Sequence, residues 1–154
     1  MLVERIWVGN TGRNFNYLVA CPAGGEALVV DPYDGAQCVA AAKANGWRIA
    51  QIVNIHEHSD HIAGNATVVA ATGAKVLAHA QAAARITGID RTIGHGDVVA
   101  VGSSVRLEVL ATPGHTPAHV CLLGSGAAPA LFSGDTLFNA GAGNCRAGGD
   151  PAIL

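Results

Sequence analysis

Charge is scarce in this chain: Asp, Glu, Lys and Arg make up 13% of its 154 residues, and the formal net charge is −2. No lysine or arginine cluster occurs, so the electrostatic footprint that a phosphate backbone requires is missing and a nucleic-acid partner is not expected. Long apolar runs are also missing. Half of the residues are apolar, but they come in strand-length pieces such as Ala27 to Val30, far short of the roughly 20 residues that span a bilayer. No membrane segment is expected. The opening Met-Leu-Val-Glu-Arg lacks the basic patch and apolar stretch of a secretory signal, which leads us to expect a cytoplasmic protein. The chain has no Cys-x-x-Cys pair; Cys21, Cys38, Cys121 and Cys145 are scattered, as reduced structural thiols would be. It also has no Gly-x-Ser-x-Gly, so nothing announces a serine nucleophile.

What remains is a globular chain long enough to bury one core, and we expect a single domain over residues 1–154. Leu2 to Val8, Phe15 to Cys21 and Glu26 to Asp31 are short β-branched or aromatic runs broken by Gly, Asn and Pro, which predicts an antiparallel meander. A helix is predicted over Gly35 to Asn45, ending at Gly46, followed by a strand over Ile49 to Ile55. Asn65 to Thr72 reads as a helix, Lys75 to Ala78 as a strand and His79 to Ile86 as a short helix. Strands follow at Val98 to Val101, Val105 to Ala111, His119 to Leu123 and Ala130 to Ser133, and the Gly- and Ala-rich tail from Ala140 reads as a loop. Two groups of strands with interspersed helices predict an α/β (α+β) protein with two packed sheets and outer helices.

The chemistry gathers after the strand that ends at Ile55, in His56-Glu57-His58-Ser59-Asp60-His61. Spacing by two places His56, His58 and Asp60 on one side of an extended segment, with Glu57 turned away. If the chain then bends into a helix, His61 reaches a second position beside the first. One histidine is more often a residue satisfied by a hydrogen bond. Three together with two acids behind an apolar strand would leave polar groups buried at a cost unless a cation neutralises them. Imidazole nitrogen and carboxylate oxygen suit zinc and similar ions at roughly 2.0 to 2.2 Å. Two later segments add to the set: His115 in Thr112-Pro113-Gly114-His115-Thr116-Pro117, and Asp135 in Ser133-Gly134-Asp135-Thr136. Each follows a predicted strand.

Taken in order, His56-x-His58-x-Asp60-His61, Thr112-Pro113-Gly114-His115-Thr116-x-x-His119 and Gly134-Asp135-Thr136-Leu137-Phe138 resemble the successive metal motifs of the metallo-β-lactamase superfamily. The resemblance is closest to its glyoxalase II (hydroxyacylglutathione hydrolase) branch, and Asn16-Tyr17-Leu18 and Val30-Asp31-Pro32 fit that branch's first strands. It implies an αββα sandwich with one or two zinc ions at one edge. His56, His58 and His115 would hold the first ion and Asp60 and His61 the second, with Asp135 bridging and His119 orienting a ligand by a hydrogen bond. A metal-bound hydroxide, with Asp60 beside it, would attack a small-molecule thioester, possibly derived from glutathione.

The resemblance also implies departures. The family pattern continues to a further strand ending in a histidine, whereas all seven histidines here lie at or before His119. The last strand and helix of the sandwich are therefore expected to be missing, the second ion to bind weakly, and exposed apolar surface to favour a homo-oligomer. The loop Ala142-Gly143-Asn144-Cys145-Arg146 stands where a Cys-Gly pair and a basic residue are usual; Asn144 and Arg146 are the candidate substrate contacts. Two alternatives come with the resemblance. One is a mononuclear iron persulfide dioxygenase using His56, His115 and Asp135, and the other is an inactive metal-binding fragment.

Overall fold

The computed structural model describes residues 1–126 and 128–154. Strands β1 (Leu2–Trp7), β2 (Phe15–Ala20) and β3 (Glu26–Val30) lead into helix α1 (Gly35–Ala44) and strand β4 (Arg48–Asn54). Two short helices follow, α2 (Ser59–Ile62) and α3 (Asn65–Thr72), then β5 (Lys75–His79), a 3-10 turn over Ala80–Ala84 and β6 (Arg91–Ile93). The chain continues through β7 (Val98–Val101), β8 (Val105–Ala111), β9 (Val120–Gly124) and β10 (Ala130–Phe132).

The predicted meander is present, since β1 pairs with β2 and β2 with β3, both antiparallel. From β3 onward the sheet is parallel, giving the order β1-β2-β3-β4-β5-β6. Helices cross over between parallel neighbours, as such a connection requires. The second sheet is antiparallel, in the order β10-β9-β8-β7.

Burial follows from which faces each strand must cover. In β3, Leu28 and Val30 pack between the sheets with Val53, Leu107, Val109 and Leu122, whereas Val29 packs toward the helices with Leu18, Cys38, Ile52 and Val68. A strand covered on both faces reads as one unbroken apolar run. Strand β8 instead alternates, with Val105, Leu107 and Val109 buried while Arg106 and Glu108 are exposed. Its outer face meets solvent, and neighbouring Val98 and Leu131 are each 46% exposed. Among the described residues the layers are therefore helix, sheet and sheet; no helix covers the outside of the second sheet. Burying each Leu, Ile or Val of these cores contributes about 1.5–3 kcal/mol. Among the described residues no helix is long and apolar enough to cross a membrane.

Local signals account for the helix ends. Asp34 caps α1 by accepting from Gln37 N at 3.0 Å, and Gly46 beyond its C-terminus has φ +69°. Three details differ from the sequence expectation. The predicted helix over His79 to Ile86 is a single 3-10 turn. A sixth strand, Arg91–Ile93, joins the sheet edge, and at three residues it is too short to show alternation. Ser59–Ile62 is helical, so the extended spacing by two ends at His58.

Candidate metal centre

Strands β3 and β4 run parallel, so Asp31 and the segment from Ile55 to His61 leave the first sheet at the same edge. β8 and β10 share a direction because each pairs antiparallel with β9. The loops after them, carrying His115 and Asp135, therefore leave the second sheet together. Val120 N donates to Ile55 O at 2.9 Å and ties the two edges. Loops at the carboxyl ends of parallel strands are where α/β proteins place ligands.

His56, His58 and His115 offer ligand atoms that all lie within 4.8 Å of one another. His115 Nε2 is 2.9 Å from His58 Nδ1, and the His115 Nδ1 donates to the Asn144 carbonyl at 2.5 Å. A carbonyl can only accept, so the His115 Nε2 lone pair faces the site. Gly143 makes this approach possible. A Cβ there would stand 2.7 Å from His115 Nδ1 and 2.8 Å from Asp135 Cβ.

Asp135 is half-buried between two histidines: its Oδ2 lies 3.3 Å from His115 Nε2 and its Oδ1 lies 3.5 Å from His61 Nε2. That is the disposition of a carboxylate with one oxygen for each of two positions. Gly134 precedes it at φ +46°, where a side chain would strike Ile55 Cδ1 at 2.7 Å.

His61 comes off the first turn of α2, so the expected bend occurs and brings its ring centroid to 4.0 Å from that of His56. Asp60 is on the same turn rather than on the extended face. Its carboxylate is about half exposed, 3.7 Å from His61 Nε2, and Asn14 Nδ2 donates to it at 3.1 Å. Glu57 turns away from the histidines, and its carboxylate accepts from Thr116 Oγ1 at 3.0 Å while bordering the cavity.

His119 differs from expectation. Its Nδ1 meets the hydroxyls of Thr112 at 3.0 Å and Thr136 at 3.1 Å, so it forms no hydrogen bond to a candidate ligand. Its ring instead stacks on His56, with centroids 5.0 Å apart. Ring stacking on His56, rather than a hydrogen bond, is its contact with a candidate ligand.

Sequence reasoning passed over Asp31 as a site residue. It is 4% exposed, its Oδ1 accepts from Ile55 N at 2.8 Å and its Oδ2 holds His61 Nδ1 at 2.8 Å. Asp31, His56 and His61 form a second group of converging ligand atoms. The signal in the sequence was an acidic residue directly after an apolar strand; in the structure its backbone is held at φ +48°.

Burial sets the electrostatics. It lowers the imidazole of His58, with help from His115 and against the opposing pull of Glu57 and Asp60, and it pushes that of His56 well below the ordinary histidine value, with neighbouring histidines pushing further the same way. His119 is pushed down to about 3 for the same reasons. For His61 burial lowers the value, but Asp31, Asp135 and Asp60 together outweigh it and the net shift is upward. Asp31 is raised by burial against the opposing pull of His61.

Among the described residues, both ring nitrogens of His56, and Nε2 of His61 and of His119, are buried without a hydrogen-bond partner. Each such orphan costs about 1–3 kcal/mol. The donor set is imidazole and carboxylate; a divalent cation would satisfy one ring nitrogen of His56, and an ion at a second position would satisfy Nε2 of His61. The residues present therefore fit a metal ion.

A cavity of about 630 Å³ opens over the cluster, bordered by His58, Asp60, His115, Asp135, Asn144 and Arg85. Arg146 lies outside it. The Asn144 side chain accepts from Arg146 N at 3.0 Å, and the turn so closed leaves the arginine exposed elsewhere. Asn144 serves by its carbonyl, and the cation on the cavity is Arg85.

The profile of the Metallo-beta-lactamase superfamily matches residues 10–153. A hydroxyacylglutathione hydrolase of Polaromonas sp. strain JS666 is 60% identical over the whole chain, and one of Nitrosococcus oceani is 58% identical. In both cases the match covers 59% of the relative, so the chain spans about three fifths of the length of these curated relatives. Among solved structures, ETHE1 from Myxococcus xanthus superposes with a TM-score of 0.87 at 25% identity, covering 99% of this chain and 65% of that one.

Proposed function

The chain belongs to the metallo-beta-lactamase superfamily, and from that premise we propose that it carries the metal centre of a thioester hydrolase acting on acylglutathione. The observation that carries the reading is the convergence of His56, His58, His61, His115 and Asp135 with buried ring nitrogens left unpartnered. The hydroxyacylglutathione hydrolases similar over the whole chain supply the substrate class.

His56, His58 and His115 would hold the first ion, His61 and Asp60 the second, and Asp135 would reach both. Zinc is the ion we propose, since imidazole and carboxylate suit it. When bound it supplies Lewis acidity, lowering the pKa of water from 15.7 to about 7 and polarising a carbonyl.

The protein's own groups prepare the site. The Asn144 carbonyl keeps the proton of His115 on Nδ1 and so leaves Nε2 free. Asp31 does the same for His61 by accepting from its Nδ1. Asp60, held by Asn14 and facing the cavity, is the carboxylate placed to take a proton during hydrolysis. His56, His61 and His115 are buried at the floor of the site, while the cavity leaves its mouth open for substrate.

Metal quantification on protein purified without added metal, together with hydrolysis of S-lactoylglutathione, tests the proposal. Zinc with thioester hydrolysis is expected. One iron per chain with oxygen uptake on glutathione persulfide would replace the hydrolase by a dioxygenase. A chain that binds metal but turns over neither substrate would be a metal-binding fragment.

A further inference from the structure

Of the cationic side chains, several are engaged: Arg48 pairs with Glu26 at 2.9 Å, Lys75 pairs with Asp90 at 2.9 Å, and Arg106 donates to Val105 O at 2.8 Å. Arg85 is different. It caps the 3-10 turn Ala80–Ala84 through its backbone, and its exposed guanidinium has no ion pair or hydrogen bond among the described residues. Among the described residues it is the one arginine or lysine that borders the metal cavity.

Arg85 also borders a second, smaller cavity of about 280 Å³, which runs from α3 to the start of β6 and is lined in part by Ile62, Val69, Val76 and Ile86. The two cavities adjoin at Ile62 and Arg85, which are common to both, so the guanidinium stands between the cluster and a partly apolar groove. The charge arrangement restricts what a bound molecule is. Glu57, Asp60 and Asp135 border the reacting end, and a cation would draw the charge of Asp60 and Asp135 toward itself. That leaves the unengaged guanidinium as the group that selects at the far end.

We propose that Arg85 is a specificity-determining residue that receives a carboxylate on the thiol portion of the substrate, with the rest of that portion lying in the groove beside Ile62 and Ile86. The inference rests on the thioester reading above and adds the residue and surface that recognise the carrier. Planar guanidinium donors match a carboxylate in a two-pronged contact that lysine reproduces only in part.

The test is calorimetric binding of S-methylglutathione, a thioether that cannot be hydrolysed, and of its diethyl ester to the metal-loaded chain. The wild type should bind the acid at least about tenfold more tightly than the ester, on the scale of a charge-assisted contact. Arg85→Gln should erase that preference, Arg85→Lys should keep part of it, and Arg146→Gln should keep all of it. Equal affinity of the wild type for acid and ester would overturn the assignment, as would an equal loss in the Arg85→Gln and Arg146→Gln variants. Hydrolysis of S-lactoylglutathione by the wild type reports separately on the thioester reading. A chain that hydrolyses but does not discriminate loses the anion subsite alone, and one that discriminates without hydrolysing loses the hydrolase alone.

Discussion

Asp31 Oδ2 holds His61 Nδ1 at 2.8 Å inside the protein, although the two residues are thirty positions apart, one directly after β3 and the other on the helical turn α2. The contact leaves the other ring nitrogen, Nε2, buried, unpartnered and turned toward Asp135. Asp31 is thus the group that orients one imidazole of the proposed second position.

Asp31→Asn keeps the shape and removes the charge. Affinity at the second position should fall about 10–100-fold, the usual effect of losing a carboxylate behind a ligating histidine, while the first position keeps its ion. Competition with a chelator, followed by metal analysis, reads both positions. Equal loss from the two would mean that Asp31 supports the fold rather than His61.

Asp135 faces both His61 and His115, so Asp135→Ala should weaken both positions at once. Cys145→Ser, on the neighbouring loop, should leave metal content unchanged. Two tightly held ions in the Asp135→Ala protein would rule out a bridging role.

His58 and Glu57 are adjacent but face different partners. His58→Ala should remove the first ion, because a ligand within reach of His56 and His115 is lost. Glu57→Ala should retain it and cost about 1 kcal/mol through the lost hydrogen bond from Thr116. Thermal unfolding alongside metal analysis separates the two effects.

Gly143→Ala would force a Cβ against His115 and Asp135. Destabilisation of about 1–3 kcal/mol is expected from overpacking, together with weaker metal binding as the two loops separate. A variant with unchanged melting and metal content would show that the loops part freely.

Acid should destabilise the metal-free protein. His56, His58 and His119 resist protonation when folded, His119 down to about 3, whereas in the unfolded chain they take up protons near about 6.5. The unfolded state therefore binds more protons between those values, and stability falls as the pH drops through that upper value. His61, with its raised value, acts with the opposite sign but is one ring against three. Melting of chelator-treated protein from pH 7.5 down to about pH 5 should show a falling Tm; a constant or rising Tm would contradict the burial argument.

Much of this protein was legible in the order of its residues. Alternation in Val105–Ala111, the unbroken apolar run of β3, and the Asp34 and Gly46 ends of α1 are local signals, written by neighbours a few positions apart. The types of ligand were legible too, because imidazoles and acids clustered behind an apolar strand call for a cation wherever the chain goes. Tertiary structure decided which of them meet. Parallel pairing of β3 with β4 brings Asp31 to His61, and the shared direction of β8 and β10 brings His115 to Asp135. The same folding set Asp60 on a helical turn and put Arg85, rather than Arg146, at the cavity. Spacing along a chain reports only on the local backbone path, whereas a site closed by four strand ends depends on contacts between residues far apart in sequence.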